Sequence, residues 1–310
     1  MNKNFPIDVV FTWVDGNDQA HKKKMLQFVK DKSSIQKTYF RTRFDQVNEI
    51  EYAVKSVLKY ASFVRKIFIV TDNQIPEFLK AGSYNNVEVI DHKEIFKGYV
   101  EYLPTFNSIS IESLIYKIPN LSEHFIYLND DCFLINECKR EDFFKNGVPV
   151  LRGKWKFIEE FYWLGKLKLH YKKKLSSHKT VQKNGAKLIG FKKFYKFYHT
   201  PAPFRKSVFQ KYFKEHKALE NKNVSFRFRS LEQFTIQSLI NHLEIKNKSC
   251  YFKTPNDLLF IKNYSRSLFR LKKRMFRAEK NKKFLCLQGL DRCPKNKLLF
   301  ILDWLNSVMS

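Results

Sequence analysis

The stretch His124–Phe133 (HFIYLNDDCF) decides both the expected fold and the expected site. Its apolar run, Phe125–Leu128, is typical of a strand that is buried inside a sheet. The strand leads directly into Asn129, Asp130 and Asp131, which stand at its carboxyl end. Adjacent carboxylates repel each other and resist removal from water, and a divalent cation relieves both penalties because hard cations take oxygen ligands.

Two interpretations of this strand end are open at the level of the residues. Ligands of open α/β sheets bind outside the carboxyl ends of strands, which makes Asp130 and Asp131 candidates for a metal and phosphate site. Asn and Asp are also common in simple turns, because their side chains hydrogen-bond to the local backbone. The surrounding sequence has to decide between the site and the turn.

Three other apolar segments have the same form as this strand, and each ends in polar turn residues. They are Ile7–Val14, Lys66–Val70 and Val87–Ile90. Between the first two, Ile50, Val54, Val57 and Leu58 recur at the spacing of an amphipathic helix. Strands that alternate with helices in this way indicate βαβ units, so we expect an α/β protein with a mostly parallel, Rossmann-like sheet flanked by helices.

Further helices are expected on periodicity and on their flanking turn residues. They are Gln19–Asp31, Phe106–Lys117, Lys206–Glu215, Leu231–His242 and an amphipathic helix that ends the tail Lys283–Leu305. Residues 152–198 are strongly basic and aromatic, and we expect them to form an inserted cover rather than sheet core. The chain therefore divides into an α/β core at 1–150, a basic insertion at 151–198 and a second, helical part at 199–310.

The charge of the chain is large: 58 Lys and Arg stand against 30 Asp and Glu, a formal net charge of +28. Such a field attracts phosphates, nucleic acid, anionic glycans or an anionic membrane surface, and does not choose among them. For the basic segment 152–198, an anionic glycan, the inner leaflet of a membrane and a merely solvated face are all open. Charge runs most often mean only solvation.

The five cysteines show no CxxC pair and no spacing typical of a metal site, so we expect reduced thiols and a cytoplasmic protein. No signal peptide is visible, because the first apolar run is short and contains Asp8. No apolar run approaches the ~20 residues that a membrane span requires. We therefore expect a soluble protein, or one held peripherally at the cytoplasmic face of the inner membrane.

At this point the sequence resembles a known family, the Stealth proteins, in four ordered blocks that cover roughly half of the chain. The first is Ile7–Gly16 (IDVVFTWVDG), and the second runs from Arg41 to Phe133. The second block carries the most specific motifs: Leu103–Ser108 (LPTFNS), Ile111–Ser113 (IES) and Tyr127–Asp131 (YLNDD). The third and fourth blocks resemble His199–Pro203 (HTPAP) with Phe226–Arg229 (FRFR), and Lys283–Gln288 (KFLCLQ).

The chain departs from the family pattern at two places. Phe44 separates Arg43 from Asp45, where the family often has an adjacent Arg-Asp pair. Gln288 and Gly289 stand where the fourth block usually ends in Asn-Asp, which puts a substrate contact of that block in doubt.

The resemblance implies a GT-A-like α/β fold and a sugar-phosphate transferase. The expected reaction moves a hexose-1-phosphate, such as GlcNAc-1-phosphate, from a UDP-sugar to a glycan hydroxyl during capsular or other surface polysaccharide synthesis. The expected partners are therefore a UDP-sugar donor and a polysaccharide acceptor, with no nucleic acid and an open oligomeric state. Phosphoryl transfer depends on positioning and charge neutralisation, so Mg²⁺ or Mn²⁺ is the expected cofactor.

The resemblance also implies roles for particular residues. Asp131, Glu112, His199 and Arg229 are the expected catalytic residues, and Asp130 with Asp131 would hold the metal. A neutral His199 imidazole can accept a proton, and the Arg229 guanidinium matches phosphate oxygens. Outside the motifs, a glutamate on a helix or a lone histidine would more often be structural.

Further residues are expected to contact the nucleotide sugar. They are Trp13, Asp15, Gly16, Arg43, Asn107, Ser108 and Arg227. Gly16 would let the backbone approach the ligand, and Trp13 would pack near the base or in the core. If Phe226–Arg229 is extended, alternation places Arg227 and Arg229 on the same face.

Two other functions are compatible with the sequence. In a metal-dependent GT-A glycosyltransferase, Asp130 and Asp131 would hold the metal on the diphosphate while the acceptor attacks the anomeric carbon. A basic nucleic-acid-binding protein without enzymatic activity would explain the charge and the interleaved aromatics, but not the carboxylates.

Overall fold

A computed structural model describes residues 5–29, 47–82, 84–158 and 177–310 of the chain. Its strands are β1 Ile7–Thr12, β2 Val64–Thr71, β3 Val87–Asp91, β4 His124–Asn129, β5 Cys132–Leu134, β6 Phe144–Lys145, β7 Val148–Phe157, β8 Lys193–Phe197, β9 Ala202–Arg205, β10 Tyr251–Lys253, β11 Leu258–Ile261 and β12 Phe284–Leu287. Its α-helices are α1 Gln19–Phe28, α2 Glu49–Tyr60, α3 Glu77–Ala81, α4 His92–Ile95, α5 Ser108–Glu112, α6 Ser177–Leu188, α7 Lys206–Glu215, α8 Lys217–Val224, α9 Ile236–Lys246, α10 Leu268–Asn281 and α11 Lys295–Met309.

The central sheet has the strand order β3-β2-β1-β4-β9. Its first four strands are parallel, and β9 is added antiparallel at the edge of β4. Alternate residues of β1 belong to opposite apolar layers: Val9 packs with α2, whereas Val10 packs with Phe96 and Phe209. The strands are therefore buried on both faces, which explains their continuous apolar runs and confirms the predicted α/β sheet.

Two smaller sheets complete the fold. One has the order β10-β7-β6, with β8 also paired to β7, and the other has the order β11-β12-β5. The basic segment 152–198 thus contributes two strands and α6 within its described residues, rather than cover alone. Strand β5 follows β4 after only two residues, so Asp130 and Asp131 join the central sheet to the third sheet.

The predicted helices are present, with differences at their ends. Helix α7 has the predicted bounds, but the predicted helix Phe106–Lys117 divides into α5 and a 3₁₀ turn at Ile115–Lys117. At the end of α5, the Ser113 hydroxyl and the Ser113 N–H both donate to the Ile109 carbonyl oxygen, at 2.8 and 3.2 Å. Helix α9 begins at Ile236 rather than near Leu231. The residues before it form a loop in which the Gln233 side chain is hydrogen-bonded to Ser230 and Asn223.

Strand β9 was not predicted, because Pro203 lies inside it. An edge strand tolerates proline, since one row of its N–H groups has no partner strand. All five cysteines are free thiols, as the sequence predicts. Across the described ranges, we find no helix with the length and apolar character of a membrane span.

Candidate active site

The carboxyl ends of β1 and β4 meet at one end of the central sheet, where Thr12 pairs with Asn129. The chain order places β2 on one side of β1 and β4 on the other, so the connections run in opposite directions from this point. Open α/β sheets bind ligands at such a switch point. A cleft of about 650 Å³ opens here, and it is lined by residues from all four sequence blocks.

Asp130 and Asp131 lie in the cleft, in the turn between β4 and β5. The Leu287 N–H of β12 donates to the Asp131 carbonyl oxygen at 3.0 Å, which fixes the turn against the third sheet. Burial raises the pKa of Asp130 well above its usual range, and the charges of Asp131 and Glu49 raise it further. Two adjacent half-buried carboxylates with this electrostatic cost favour a cation site over a simple turn.

Two more carboxylates stand in the same cleft, and no sequence pattern pointed to either of them. Glu49, at the start of α2, is only 7% exposed, and its side chain accepts a hydrogen bond from the Val47 N–H. Burial raises the pKa of Glu49, with further contributions from Asp131 and Asp291. Asp291 lines the cleft directly after the fourth block. No sequence signal distinguishes Glu49 from an ordinary acidic residue at a helix start.

The carboxylates at this end of the sheet supply the type of ligand that a hard divalent cation takes. Asp130, Asp131 and Glu49 offer carboxylate oxygens, which Mg²⁺ and Mn²⁺ prefer. Among the described residues, the candidate ligand atoms found within 4.8 Å of one another are those of Asp131, Cys132 and Cys286. The neighbouring Cys286 thiol lowers the pKa of Cys132, but burial together with the negative charges of Asp131 and Asp130 raises that pKa to about 11. A protonated thiol is a poor ligand, so the oxygens form the candidate site.

Glu112 and Arg229 face each other across the cleft and are connected through Ser108. The Arg229 guanidinium donates to the Ser108 hydroxyl oxygen at 2.7 Å. Burial raises the pKa of Glu112 to about 6, while Arg229 and hydrogen bonds from Ser108 and Tyr127 oppose the rise. Glu112 therefore changes its charge close to neutral pH, and Arg229 places a cation beside it.

His199 lies in the loop between β8 and β9, where its ring is held between two other rings. The ring centroid is 4.7 Å from that of Phe260 and 5.8 Å from that of His178, with both pairs stacked. Burial lowers the pKa of His199, and the charge of Asp131 opposes the shift only in part. The imidazole is therefore neutral at pH 7 and able to accept a proton.

The structure brings most of the predicted site residues together. Lining the cleft are Trp13, Asn107, Ser108, Glu112, Asp130, Asp131, His199 and Arg229. Gln288 and Gly289 line it as well, so the fourth block reaches the site despite its departure from the family pattern. Arg43 lies outside the described residues.

Three predicted ligand-binding residues have other contacts. Asp15 and Gly16 form the turn after β1, where the Asp15 N–H donates to the Gln74 amide oxygen at 2.8 Å. The residues Phe226–Arg229 do not form a strand, so Arg227 diverges from Arg229. Its guanidinium donates to the Glu101 carbonyl oxygen at 2.8 Å and lies over the Phe28 ring, outside the cleft lining.

Asn107 also has a role that the sequence analysis did not predict. Its side chain is fully buried, and its amide N–H groups donate to the Phe226 carbonyl oxygen and the Gln233 amide oxygen at 2.8 and 2.9 Å. Its own side-chain oxygen accepts from the Ile109 N–H at the start of α5. Asn107 therefore positions the cleft wall instead of offering its amide to an anion.

Comparisons with known proteins bear on the family and the fold of the chain. The family models Stealth protein CR1, conserved region 1, and Stealth protein CR2, conserved region 2, match residues 5–33 and 43–150. A capsular polysaccharide phosphotransferase of Haemophilus influenzae is 38% identical over 235 residues, which cover 74% of this chain and 62% of the relative. Another, from Actinobacillus pleuropneumoniae, is 48% identical over 149 residues, covering 47% and 40%. The chain thus matches only part of the length of these two relatives.

An exopolysaccharide phosphotransferase of Lactiplantibacillus plantarum is matched over most of both chains. It is 32% identical over 273 residues, which cover 81% of this chain and 79% of the relative. Among solved structures, the bifunctional glycosyltransferase WbbM superimposes with a TM-score of 0.51 at 11% identity, over 99% of this chain and 50% of that chain. A structure of LgtC covers 97% and 95%, with a TM-score of 0.47 at 14% identity. The WbbM likeness concerns the fold alone, and the matches in sequence show that the chain belongs to the Stealth family.

Proposed function

We propose that the protein is a metal-dependent sugar-phosphate transferase. It would move a hexose-1-phosphate from a UDP-sugar to a hydroxyl of a glycan, in the synthesis of a capsular or other surface polysaccharide. The observation that carries this proposal is the convergence of Asp130, Asp131, Glu112, His199 and Arg229 on one cleft at the switch point of the sheet. The names of the relatives support the same class of reaction.

The reaction exchanges the phosphoanhydride bond of the donor for a new phosphoester bond. The acceptor hydroxyl oxygen forms a bond to the phosphorus that carries the sugar, and the bond from that phosphorus to the leaving nucleoside monophosphate breaks. The acceptor proton moves to an imidazole nitrogen of His199, whose lowered pKa keeps it unprotonated at neutral pH. The product is a phosphodiester, and the second product is UMP.

Asp130 and Asp131 would hold the divalent cation, with Glu49 as a neighbouring oxygen donor. When bound, the cation neutralises charge on the diphosphate and on the leaving group. It would also relieve the repulsion that raises the pKa of Asp130. The carboxylate cluster thus has a chemical reason to be assembled in the folded protein.

Arg229 would contact the phosphate oxygens of the donor. Its guanidinium is already oriented by the Ser108 hydroxyl, which reduces the entropy lost on binding. Glu112 lies beside both groups and would orient the acceptor hydroxyl or the donor sugar by hydrogen bonding. Trp13 would pack against the nucleotide from the end of β1, a cleft-lining position that suits a planar base.

The proposal includes a division of the chain into three parts. Residues 1–150 would bind the nucleotide sugar, residues 151–198 would form the basic insertion, and residues 199–310 would complete the catalytic domain with His199 and Arg229. A cytoplasmic location would give the protein access to nucleotide sugars. These assignments belong to the proposal, as do the donor sugar and the acceptor.

The leaving group tests the proposal directly. The purified protein is incubated with UDP-sugars, Mg²⁺ and glycan acceptors, and the nucleotide product is separated and identified. UMP together with a phosphodiester in the phosphorus NMR spectrum is the expected result. Release of UDP would instead identify a glycosyltransferase and overturn the phosphotransferase assignment.

Variants then test the site. Asp131→Asn, Glu112→Gln, His199→Ala and Arg229→Ala should each lower kcat/KM by at least about a hundredfold, because general acid–base and electrostatic groups contribute on this scale. The exposed Arg266→Ala is the matched control and should retain turnover. Wild-type rates in all four site variants would remove the site assignment while leaving the reaction itself standing.

A further inference from the structure

Helix α10 carries large apolar side chains on the side that faces away from the protein. Its buried stripe is Leu271, Met275 and Ala278, which packs on the core. Phe269 and Phe276 are seven residues apart and therefore lie on one face, opposite this stripe. They are 74% and 50% exposed, so neither ring is used for core packing.

Lysines occupy the same outer face. At 100° per residue, Lys273 and Lys280 project between and beside the two phenylalanines, and Lys272 lies at the flank. The neighbouring helix α11 extends the face with Leu299, which is 53% exposed, and with the half-buried Phe300. We call this surface the basic–aromatic face: Phe269, Lys272, Lys273, Phe276 and Lys280 of α10, with Leu299 and Phe300 of α11.

The contacts within the face join its apolar and cationic parts. The Phe276 and Phe300 rings meet edge to face at 6.1 Å, and the Lys272 ammonium lies 5.1 Å from the centre of the Phe300 ring. In the described residues, none of the three lysines of the face takes part in a salt bridge. The cations are therefore available for an external anion.

The charged side chains of α10 are almost all positive. Its fourteen residues include six cations, Arg270, Lys272, Lys273, Arg274, Arg277 and Lys280, and a single acid, Glu279. The Glu279 carboxylate is turned aside, where it accepts a hydrogen bond from the Trp304 indole at 3.2 Å. A basic helix with aromatic residues on its outer face is the pattern of a helix that lies in a membrane interface.

We propose that the basic–aromatic face docks the protein on the surface of an anionic phospholipid bilayer. Lipid phosphates would take the lysine charges, while Phe269 and Phe276 would enter the boundary between headgroups and acyl chains. An anionic polysaccharide satisfies the lysines but offers no acyl phase in which the rings could be buried. The bilayer therefore accounts for both components of the face, independently of the reaction catalysed.

The docked helix is connected to the candidate active site. On its inner side, the Arg274 guanidinium donates to the Phe260 carbonyl oxygen at 3.3 Å. The Phe260 ring stacks on the His199 imidazole in the cleft. The wall of the cleft that carries His199 thus rests on the helix that faces the membrane.

Vesicle flotation tests the proposal. The full chain is mixed with vesicles of phosphatidylcholine containing one quarter phosphatidylglycerol, and separately with pure phosphatidylcholine vesicles. Binding to the anionic vesicles alone is expected, with a partition coefficient that falls as salt is added. Equal binding to both vesicles, or to neither, would overturn the proposal.

Two paired variants separate the components of the face. Phe269→Ser with Phe276→Ser, and Lys273→Glu with Lys280→Glu, should each lower the partition coefficient by about tenfold or more. Matched controls remove equally exposed apolar residues or reverse exposed lysines elsewhere: Ile75→Ser with Val100→Ser, and Lys211→Glu with Lys214→Glu. These should bind like the wild type. Phe269→Ser alone changes the most exposed position, so it still tests the face if the double variant does not fold.

Other occupants of the face give different results. If the lysine variant loses binding while both phenylalanine variants keep it, the face recognises anionic charge only, and bilayer insertion is excluded. If the phenylalanine variants instead change the sedimentation coefficient and leave vesicle binding intact, the face joins two copies of the chain. Either result overturns the proposal.

Discussion

Asp130 shows most clearly why the carboxylates of the site are costly to ionise. Its half-buried position raises its pKa well above the usual range, and the neighbouring charges of Asp131 and Glu49 raise it further. Folding alone gains nothing from such a cluster, because each added carboxylate increases the repulsion. A protein keeps this arrangement when a ligand relieves it, and perturbed carboxyls in a cleft are accordingly typical of functional sites.

Glu112 permits a prediction about stability as a function of pH. Its folded-state pKa is raised from 4.5 to about 6, so the folded protein holds this proton more tightly than the unfolded chain. The ionised carboxylate therefore destabilises the fold above about pH 6, and the penalty disappears as pH falls through 4.5. The rise corresponds to at most about 2 kcal/mol.

Glu112→Gln should consequently raise the free energy of unfolding by about 1–2 kcal/mol at pH 7.5, and by nothing at pH 4. Urea unfolding at a series of pH values measures the difference. Glu101→Gln, at an exposed position, should give no pH-dependent difference. A constant difference across the range would mean that hydrogen bonding, and not ionisation, sets the stability at this position.

At the scale of elements, the wall that carries Arg229 is held by buried amides. Gln233 is 1% exposed, and its side chain donates to the Asn223 carbonyl oxygen at 2.8 Å and the Ser110 hydroxyl at 3.2 Å. Its amide oxygen accepts from Asn107 at 2.9 Å and from the Ser230 N–H at 3.0 Å. Hydrogen bonds of the Gln233 side chain thus hold the loop before α9 against the start of α5.

Gln233→Ala should therefore reduce both stability and turnover. Removal of the amide leaves several buried polar groups without partners, at a cost of about 2–4 kcal/mol. Because the loop also orients Arg229, kcat/KM for the proposed transfer should fall even at temperatures where the variant is folded. Thermal unfolding and single-temperature kinetics measure the two effects.

Glu232→Ala is the matched control for this loop. Glu232 adjoins Gln233, but its side chain is 66% exposed and its ion pair with Lys222 spans 3.4 Å. Exposed pairs contribute about 0–1 kcal/mol, so both stability and turnover should stay near the wild-type values. If Gln233→Ala proved as mild as its control, the amide network would not hold the cleft wall.

The same elements show what could be predicted from the sequence. Strands β1, β2 and β4 were predictable because burial on both faces demands continuous apolar runs that end in polar turn residues. The site motif was predictable because Asp130 and Asp131 follow such a strand directly. In these cases the residues that define the feature are adjacent in the chain.

Features that depend on distant partners were not predictable. The charge that raises the pKa of Glu49 comes in part from Asp131, about 80 residues further along the chain, and the role of Asn107 depends on Phe226 and Gln233, more than 100 residues away. Arg227 and Arg229 diverge because these anchored amides fix a loop where alternation implies an extended strand. Local pattern carries no information about such partners.

At the scale of the whole molecule, the net charge of +28 opposes the compact state. Two of the ion pairs that connect distant segments are less accessible to salt than this surface charge, because one partner in each is buried. Asp8, which receives the Arg65 guanidinium at 2.7 Å, is fully buried, and Glu244 beside Arg205 is 1% exposed. Added salt should therefore weaken the surface repulsion more than it weakens these pairs.

The protein should accordingly become more stable as sodium chloride rises from ~20 to ~200 mM, over which the Debye length falls from roughly 20 to 7 Å. Urea unfolding at fixed pH measures this trend. Lys211→Glu with Lys214→Glu lowers the net charge by four, from +28 to +24. This variant should be more stable than the wild type at low salt and should gain less from added salt. A wild-type stability that falls with salt would show that ion pairs, and not net repulsion, dominate the electrostatics of the fold.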